Sequence, residues 1–353
     1  MRVIGKSLIV IILCSCFFFS SCDSPPVPEK LPLSVRNNLN LLLKDAQFMM
    51  YMNFRSMRGT EFWQKNLSDS IITNEQTFGS ILNLFGRVTG ATISNGLDEL
   101  YYANSWFGEN SIVLKGVFKK ESLDNFIASD STFTKITHSD GTEIYKSIDD
   151  NLFFYLKDNV TLCASNYQSQ LDRMMQTSDT SQTGLLENAD LMQAIEGTIY
   201  KKDLMMVSTE RMFIRGIFLN FFGAGNPEQE GLPGGTPEGE QTPVPDGLGN
   251  IYEKVKSISF SVNMTEELKV MIQSRCDSEE SSNSIRKLLN GLLTFSRIGS
   301  AVKSDEEKSA IEEMLNSIEV KNFGNDVFLE VNVDEENIKS FQTRKFIEDS
   351  PTQ

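Results

Sequence analysis

Histidine is almost absent from this chain of 353 residues, in which His138 is the single example. No pair of histidines can therefore hold a metal ion, and a general-base mechanism through imidazole would depend on this one side chain. His138 stands in THSDGT, a stretch typical of a turn, and is followed by Ser139 and Asp140. Three adjacent side chains in one turn cannot align as nucleophile, base and orienting acid, so this stretch does not predict a hydrolase triad.

The sequence also lacks the short motifs that mark common enzyme sites. It has no Walker glycine loop, no GxGxxG after a strand, no Cys-x-x-Cys and no GxSxG. Adjacent carboxylates occur, as at residues 149–150 and 306–307, but such pairs are ordinarily solvated or cap helices. We therefore predict no catalytic residue, no cofactor and no metal site.

Basic residues are too few to balance the acidic ones. The chain has 33 Lys and Arg against 48 Asp and Glu, and removal of residues 1–21 would leave 31 basic residues and a net charge near −17. Such a surface repels nucleic acids and anionic lipid headgroups, so we predict no nucleic-acid partner. The acidic residues are scattered without an Asp-x-Asp-x-Asp-Gly loop, which indicates a solvated surface rather than a calcium site.

The apolar run near the N terminus is too short to span a bilayer. It extends from Leu8 to Phe19, which is 12 residues, whereas a transmembrane helix needs about 20. Arg2 and Lys6 give the chain a positive start, and small residues follow the run. This pattern predicts a cleaved export signal.

The end of this run, CSCFFFSSC over residues 14–22, resembles a bacterial lipoprotein signal. In that family a cysteine after small residues is acylated and becomes the first residue of the mature protein. The resemblance implies a signal peptide at residues 1–21 and lipid attachment at Cys22. Phe19 departs from the leucine usual at its position, and an ordinary secretory signal is the alternative. Cys16 is the rival acceptor, but it would shorten the apolar run to about six residues and leave three phenylalanines on the mature chain.

Residues 22–33 begin the mature chain, and within them DSPPVPEKLP carries four prolines. Prolines favour an extended polyproline conformation that rises about 3 Å per residue. We therefore predict a tether that lets the body stand roughly 30 Å from the membrane.

Alternating apolar and polar residues predict β-strands throughout the first half of the chain. The runs are MMYMNF, LDELYYANSW, NSIVLKGVF, TEIYKS, NLFFYL and VTLCAS. Helical periodicity falls between them, at residues 60–66, 76–89, 120–128 and 167–176. Short strands mixed with short helices indicate an α+β fold built of antiparallel β-hairpins and packed helices.

The second half repeats this order of elements. DLMMVSTERM matches MMYMNFRSM, KSISFSVNMTEELKVMIQSRC matches DELYYANSWFGENSIVLKGVF, and SIEVKNFGNDVFLEVNVDEENIKSF repeats a strand, turn, strand and helix. We therefore predict two tandem, related units at residues 34–180 and 185–348. Generic α+β patterning is the alternative, because few residues are identical.

Residues 223–250 hold eight glycines, five prolines, five acidic residues and no basic one. This composition cannot bury enough apolar surface to become ordered. The segment reads at first as a linker between domains, but it falls between two elements of the second repeat. We therefore predict a disordered acidic loop inserted within the second unit.

Immediately before that segment, RMFIRGIFLNFFG predicts a helix that ends near Gly223. Its apolar residues cover more than one face, which is typical of a helix buried on most sides. The alternative is an aromatic surface for an acyl chain or a partner protein. The candidate contact residues are Phe213, Phe218, Phe221 and Phe222.

Two cysteines remain in the mature body, Cys163 and Cys276. In an oxidising envelope they form either one disulfide or two buried thiols. Cys276 follows the apolar phase of its strand, whereas Cys163 alternates with Thr161 and Ser165, so the phases disagree. Both outcomes stay open from the sequence.

Taken whole, the mature chain resembles uncharacterised secreted lipoproteins of Bacteroidota with duplicated α+β units, a class that supplies no activity. The resemblance implies a cell-envelope protein held by palmitate or a similar acyl group, in the outer membrane. Our first hypothesis is a non-enzymatic scaffold or binding module with an envelope protein as partner. The alternative is a carrier or sensor of an amphiphile, and a carboxylate-dependent hydrolase is the least favoured function.

Overall fold

The computed structural model describes residues 24–67, 78–138, 140–178, 184–222, 252–301 and 317–333. Cys22 lies outside these residues, as do the acidic segment and the C-terminal end of the chain. None of the helices within the described ranges combines the length and the apolar character needed to cross a membrane.

Twelve strands are formed within these residues. They are β1 (Phe48–Asn53), β2 (Leu97–Asn104), β3 (Asn110–Gly116), β4 (Phe133–Thr137), β5 (Glu143–Ser147), β6 (Leu152–Asp158), β7 (Thr161–Ser165), β8 (Leu204–Ser208), β9 (Val255–Met264), β10 (Leu268–Cys276), β11 (Glu319–Phe323) and β12 (Asp326–Val333). Each strand of the first half that the alternating pattern predicts is present, whereas β4 was not predicted. Four of the five residues of β4 are exposed, so the strand lacks the apolar alternation that would reveal it.

The helices of the described residues lie between these strands. They are α1 (Leu33–Leu39), α2 (Phe54–Arg58), α3 (Glu61–Asn66), α4 (Phe78–Thr89), α5 (Lys120–Ser129), α6 (Gln168–Gln176), α7 (Ala189–Gly197), α8 (Arg211–Phe222) and α9 (Glu279–Ala301). The four helices predicted in the first half correspond to α3, α4, α5 and α6, and the predicted aromatic helix is α8. The fold is α+β, as the sequence predicts.

All strands belong to a single sheet with the order β11-β12-β10-β9-β8-β1-β2-β3-β7-β6-β5-β4. Every pairing between named strands is antiparallel. Counted outward from the centre, the first half runs β1-β2-β3-β7-β6 and the second runs β8-β9-β10-β12-β11. The two halves therefore follow the same order, with β5 and β4 added at one edge. Duplication and the unit boundaries stay predictions, because one continuous sheet joins the halves.

The centre of the sheet is covered on both faces. On one face α2, α3, α4 and α5 pack on a core that includes Leu100, Ile112 and Phe154. On the other, α1, α6 and α7 pack on a core that includes Tyr51, Tyr101 and Val113. Because strand side chains alternate in direction, successive residues of β1 and β2 enter opposite cores. This explains the continuous apolar runs at residues 48–52 and 100–103.

The outer strands of the second half are covered unequally. Helix α9 packs over β10, β11 and β12 on one face, where Ile285 and Val327 belong to one apolar cluster and Leu293 and Val331 to another. Among the described residues, the opposite face carries a small apolar cluster, which contains Ile199, Met271 and Phe328. The β9 positions on this face are Ser257, Ser259, Ser261 and Asn263. This half of the sheet is thus packed on one face and largely polar on the other.

The elements on either side of the acidic segment are neighbours in the sheet. β8 precedes the segment and pairs with β9, which follows it, from Leu204 opposite Val262 to Ser208 opposite Ile258. This is the pairing expected of an insertion rather than of a linker between separate domains. Residues 223–250, which we predict to be disordered, lie outside the residues that the structure describes.

The proline-rich segment is arranged differently from the free tether that the sequence predicts. The Glu29 amide donates a hydrogen bond of 2.9 Å to the Ile199 carbonyl, and Leu31 packs against the core under α1 and α7. From Ser24 onward the segment therefore follows the body instead of extending away from it. Polyproline geometry leaves backbone groups free to bond to a neighbour, and here the neighbour is the loop before β8.

Cys163 and Cys276 are two separate buried thiols. Cys163 lies on β7 and is fully buried in the core under α6. Cys276 ends β10 and belongs to the core under α9, on the opposite face of the sheet. Every residue of β7 is buried, so the polar phase that Cys163 shares with Thr161 and Ser165 also faces a core. Burial raises the pKa of each thiol to about 12.

Candidate functional site: an amphipathic groove at the end of the sheet

The β2–β3 hairpin ends in a tip that exposes two large aromatic side chains. Trp106 is 59% exposed and Phe107 is 87% exposed. Gly108 closes the turn with a φ of 80° and donates a hydrogen bond of 3.0 Å to the Ser105 carbonyl. The Trp106 amide donates 2.9 Å to the Gln47 side-chain oxygen, which ties the tip to the start of β1. The aromatic rings are therefore presented by an ordered turn.

An apolar groove of about 570 Å³ lies beside this tip. Phe48, Tyr102 and Phe213 line it. The ring of Phe48 packs edge-on against that of Tyr102, with ring centroids 6.2 Å apart, and against that of Phe213, with ring centroids 5.4 Å apart. Trp106 and Met212 form its sides. Met212 is half exposed and Phe213 is 41% exposed, although both are large apolar residues. Exposed apolar side chains gathered in one concave place are typical of a binding surface.

The first turn of α8 places Met212 and Phe213 in this groove. Ser208 ends β8, and its hydroxyl accepts a hydrogen bond of 3.1 Å from the Glu210 amide. The Glu210 carboxylate in turn accepts a hydrogen bond from the Phe213 amide, so it caps the helix. The helix therefore starts directly at the end of the strand, which directs the side chains of its first turn over Phe48.

A larger polar cleft of about 1120 Å³ adjoins the groove. It lies at the same end of the sheet, between the hairpin tip, α7 and the ends of β9 and β10. Charged side chains of both signs line it. The acidic ones are Asp45, Glu109, Asp190, Glu253 and Asp277, and the basic ones are Arg211, Lys256 and Arg275. Arg275 is held by Asp326 at 3.0 Å.

The groove and the cleft share a wall made of Gln47, Ser105 and Trp106. A molecule in contact with Trp106 can therefore reach apolar side chains on one side and charged or amide groups on the other. Together the two depressions form one amphipathic site, which we call the tip groove. Its composition suits a ligand with an apolar part and a polar part.

Of the four predicted contact residues, the structure places Phe213 in the tip groove. Phe218, Phe221 and Phe222 belong to α8 by their backbone, but their side chains lie outside the described residues. Cys22, the predicted acylation site, also lies outside them. The sequence pattern does not single out Trp106 or Phe107, because LDELYYANSW predicts a strand that ends at Trp106. The WFG that follows the strand is the signal for an exposed turn.

His138 occupies the predicted turn between β4 and β5. Its backbone amide donates 2.8 Å to the Thr142 carbonyl, and the Gly141 amide donates 2.9 Å to the His138 carbonyl. Its Nδ1 lies 3.1 Å from an Asp140 oxygen, and its Nε2 lies 4.0 Å from Asp172 on α6. The imidazole is therefore placed between two carboxylates, far along the sheet from the tip groove. Ser139 lies outside the described residues.

A cluster of charged side chains joins α5 to β4 and β5. Asp124 lies 2.5 Å from Lys120 and 3.2 Å from Lys135, and Glu143 contacts the same two lysines. Burial acts to raise the pKa of Asp124, but hydrogen bonds from Lys120, Tyr145 and Lys135 outweigh it and lower the pKa to about 2. Hydrogen bonds from the lysines also lower the pKa of Glu143. Both carboxylates therefore stay ionised, an arrangement that cross-links the surface and does not prepare a proton donor.

No group of three or more His, Cys, Asp or Glu side chains is placed to hold a metal ion in the part of the chain that the structure describes.

Comparison with known proteins gives no family assignment. No family model matches the chain, and no curated protein matches it. Among solved structures, crystal form III of TP0453 is similar with a TM-score of 0.45 and 12% identity, over 86% of this chain and 97% of that chain. Crystal form IV of TP0453 has a TM-score of 0.44 and 11% identity, over 86% and 96%. Similarities at this level are too distant to assign a function.

Proposed function

We propose that this chain is a lipid-anchored protein of a bacterial cell envelope, held in the outer membrane through Cys22, whose body is a non-enzymatic binding module for an amphiphile. The binding role is supported by the wall that the apolar groove and the polar cleft share at Trp106. An apolar chain would lie against Phe48, Met212 and Phe213. Its polar head would lie among the charged and amide groups of the cleft.

The size and openness of the site favour a ligand that is bound and released over one that is permanently enclosed. A volume of about 570 Å³ falls within the range of roughly 300–1,000 Å³ common for small-molecule sites. The aromatic walls offer a large apolar area with few rotatable bonds, which limits the entropy lost on binding. The opposite signs of charge in the cleft suit a zwitterionic or a hydrogen-bonding head better than a strongly anionic one.

The two tryptophans of the chain provide a direct test of binding. Trp63 is buried, with 6% exposure, whereas Trp106 forms the wall of the tip groove. Residues 23–353, prepared without the anchor, are titrated with lysophosphatidylcholine below its micelle concentration while tryptophan emission is recorded. We expect a saturable blue shift that persists in Trp63→Phe and disappears in Trp106→Phe. No shift in the wild type, or an undiminished shift in Trp106→Phe, would exclude the tip groove as the site.

A matched pair of substitutions tests the apolar wall. Phe213 and Tyr167 have nearly equal exposure, 41% and 42%, but only Phe213 lines the groove. Phe213→Ser should weaken binding about tenfold, which is the loss of about 1.4 kcal/mol expected when roughly half of an aromatic side chain loses its apolar contact. Tyr167→Ser should leave the affinity unchanged. Equal effects of the two substitutions would contradict a specific site.

Anchoring is tested separately by fractionation of cells that express cysteine variants. We expect Cys22→Ser to give unprocessed or soluble protein, whereas Cys14→Ser and Cys16→Ser should still give acylated protein in the membrane fraction. Acylated, membrane-bound protein from Cys22→Ser would show that a different cysteine carries the lipid.

A further inference from the structure

Residues 24–32, the N-terminal strap, are fixed to the body by a short polar junction. The Glu29 amide donates 2.9 Å to the Ile199 carbonyl. The Glu29 carboxylate accepts a hydrogen bond of 2.7 Å from the Lys201 amide, and the Glu29 carbonyl accepts one of 2.6 Å from the Lys201 ammonium. The strap is thus bonded to residues 199–201 through both its backbone and a side chain.

Lys201 makes this junction costly to open. It is a lysine with only 1% exposure, and its ammonium donates to the carbonyls of Glu29 and Thr198. A buried ammonium that loses one of its hydrogen-bond acceptors destabilises the fold unless water replaces that acceptor. The strap therefore supplies a partner that the folded body needs, and this argues against a freely moving tether.

The first residues of the strap lie over the outer strands of the second half. Ser24 and Pro26 line a small cavity of about 130 Å³ together with Met271, Phe323 and Phe328. These apolar residues belong to the face of β10, β12 and β11 that lies opposite α9. We call this surface the strap face. Pro26 is half-buried there, whereas the neighbouring Val27 is 83% exposed.

We propose that the strap face is turned toward the lipid bilayer and held close to it, an inference that rests on the proposed acyl anchor at Cys22. Only the bonds from Cys22 to Ser24 separate the anchor from a residue already on the body, and two extended residues span at most about 7 Å. A free segment from residue 22 to residue 33 would allow roughly 30 Å instead. Because this reach is short, the partner of the strap face is the membrane that holds the acyl chains.

The two edges of the sheet make this orientation measurable. Glu319 lies on β11, at the edge beside the strap, and Thr134 lies on β4, at the opposite edge. Both are exposed. Eleven strand spacings separate the edges, about 50 Å along a flat sheet. A label at residue 319 should therefore be close to the headgroups while a label at residue 134 is far from them.

The experiment uses the full-length acylated protein in phosphatidylcholine vesicles that contain a lipid with a nitroxide on its headgroup. A fluorophore is attached to Glu319→Cys or to Thr134→Cys, since the native Cys163 and Cys276 are buried. Flotation of the vesicles first establishes that the protein is anchored. We then expect strong quenching of the label at residue 319 and little at residue 134.

Two changes lengthen or release the strap. Eight Gly/Ser residues inserted between Asp23 and Ser24 leave the body untouched but add up to about 26 Å of reach, and should reduce the quenching at residue 319 to the level at residue 134. Glu29→Pro, which removes both the amide that donates to the Ile199 carbonyl and the carboxylate that accepts from the Lys201 amide, should act in the same direction, whereas Lys30→Ala should have no effect.

The outcomes separate this inference from the anchor itself. Protein that does not float would refute the acyl anchor and the inference that rests on it. Protein that floats, but whose label at residue 319 is quenched no more than the label at residue 134, would keep the anchor and overturn the orientation. Undiminished quenching after the insertion would also overturn it, because it would show that the strap does not set the distance.

Discussion

Asp203 joins the two halves of the sheet, and its replacement should weaken the fold strongly. Its side chain is fully buried. One carboxylate oxygen accepts a hydrogen bond of 2.5 Å from the Ser56 hydroxyl, and the other accepts one of 2.7 Å from the Met264 amide at the end of β9. The Asp203 carbonyl accepts a further one of 2.7 Å from the Asn53 amide at the end of β1. The residue thus binds β1, α2 and β9 at the point where the halves meet.

The expected loss follows from the two side-chain bonds. A hydrogen bond to a charged group contributes about 1.5–3 kcal/mol, and a buried donor left without a partner costs a similar amount. Asp203→Ala leaves the Met264 amide buried and unpaired, whereas the half-buried Ser56 hydroxyl can turn to water. We therefore expect the free energy of unfolding to fall by about 3–4 kcal/mol. Asp203→Asn keeps one acceptor oxygen and should lose about half as much.

Urea unfolding of the anchor-free body, followed by far-UV circular dichroism, measures these differences from the shift of the midpoint. The exposed Asp149 provides the control, and Asp149→Ala should change the free energy of unfolding by less than about 0.5 kcal/mol. A loss below about 1 kcal/mol for Asp203→Ala would show that the carboxylate does not hold the halves together.

Three further predictions concern the strap, the thiols and the acidic segment. Burial lowers the pKa of Lys201 from 10.5 to about 8, so between these values the unfolded chain binds more protons than the folded one. The free energy of unfolding of the wild type should therefore rise between pH 8 and pH 10.5 relative to that of Lys201→Met, as measured by urea titrations at each pH. Equal changes of this free energy with pH in the two proteins would contradict the prediction. Cys163 and Cys276 should resist iodoacetamide at pH 8 until the protein unfolds, because burial raises their pKa; rapid alkylation of the native protein, read by mass spectrometry, would contradict it. Proteolytic cleavage within residues 223–250 should leave one species on size exclusion, because β8 and β9 pair across the cut, and two separately eluting folded fragments would contradict this.

The strands other than β4 and five of the nine described helices could be predicted from the sequence because their apolar periodicity is strong, whereas α1, α2, α7 and the long α9 are not among the sequence predictions. LDELYYAN and NSIVLKG read as strands, and the structure forms β2 and β3 from them. α7 was missed because its nine residues follow an irregular segment without a long periodic pattern. β4 was missed because it is an edge strand with an exposed, polar face. Short elements that depend on tertiary contacts leave a weak periodic signal.

The candidate site was predicted only in part. Phe213 was found because the sequence around it is densely aromatic, but Trp106 is distant in sequence and meets it only through the pairing of β1 with β2 and β8. The attachment of the strap could not be predicted from the sequence. Its prolines indicate an extended conformation, but the groups that hold it are the Ile199 carbonyl and the amide and ammonium of Lys201, and no sequence pattern identifies them.

The most direct test of the proposed function is native mass spectrometry of the protein purified from its own membranes in mild detergent. We expect a chain that begins at an acylated Cys22 and carries one noncovalently bound amphiphile, which is lost in Trp106→Ala and retained in Trp63→Phe. An acylated chain without any bound amphiphile in the wild type, or an amphiphile retained equally by Trp106→Ala, would contradict the proposed binding site.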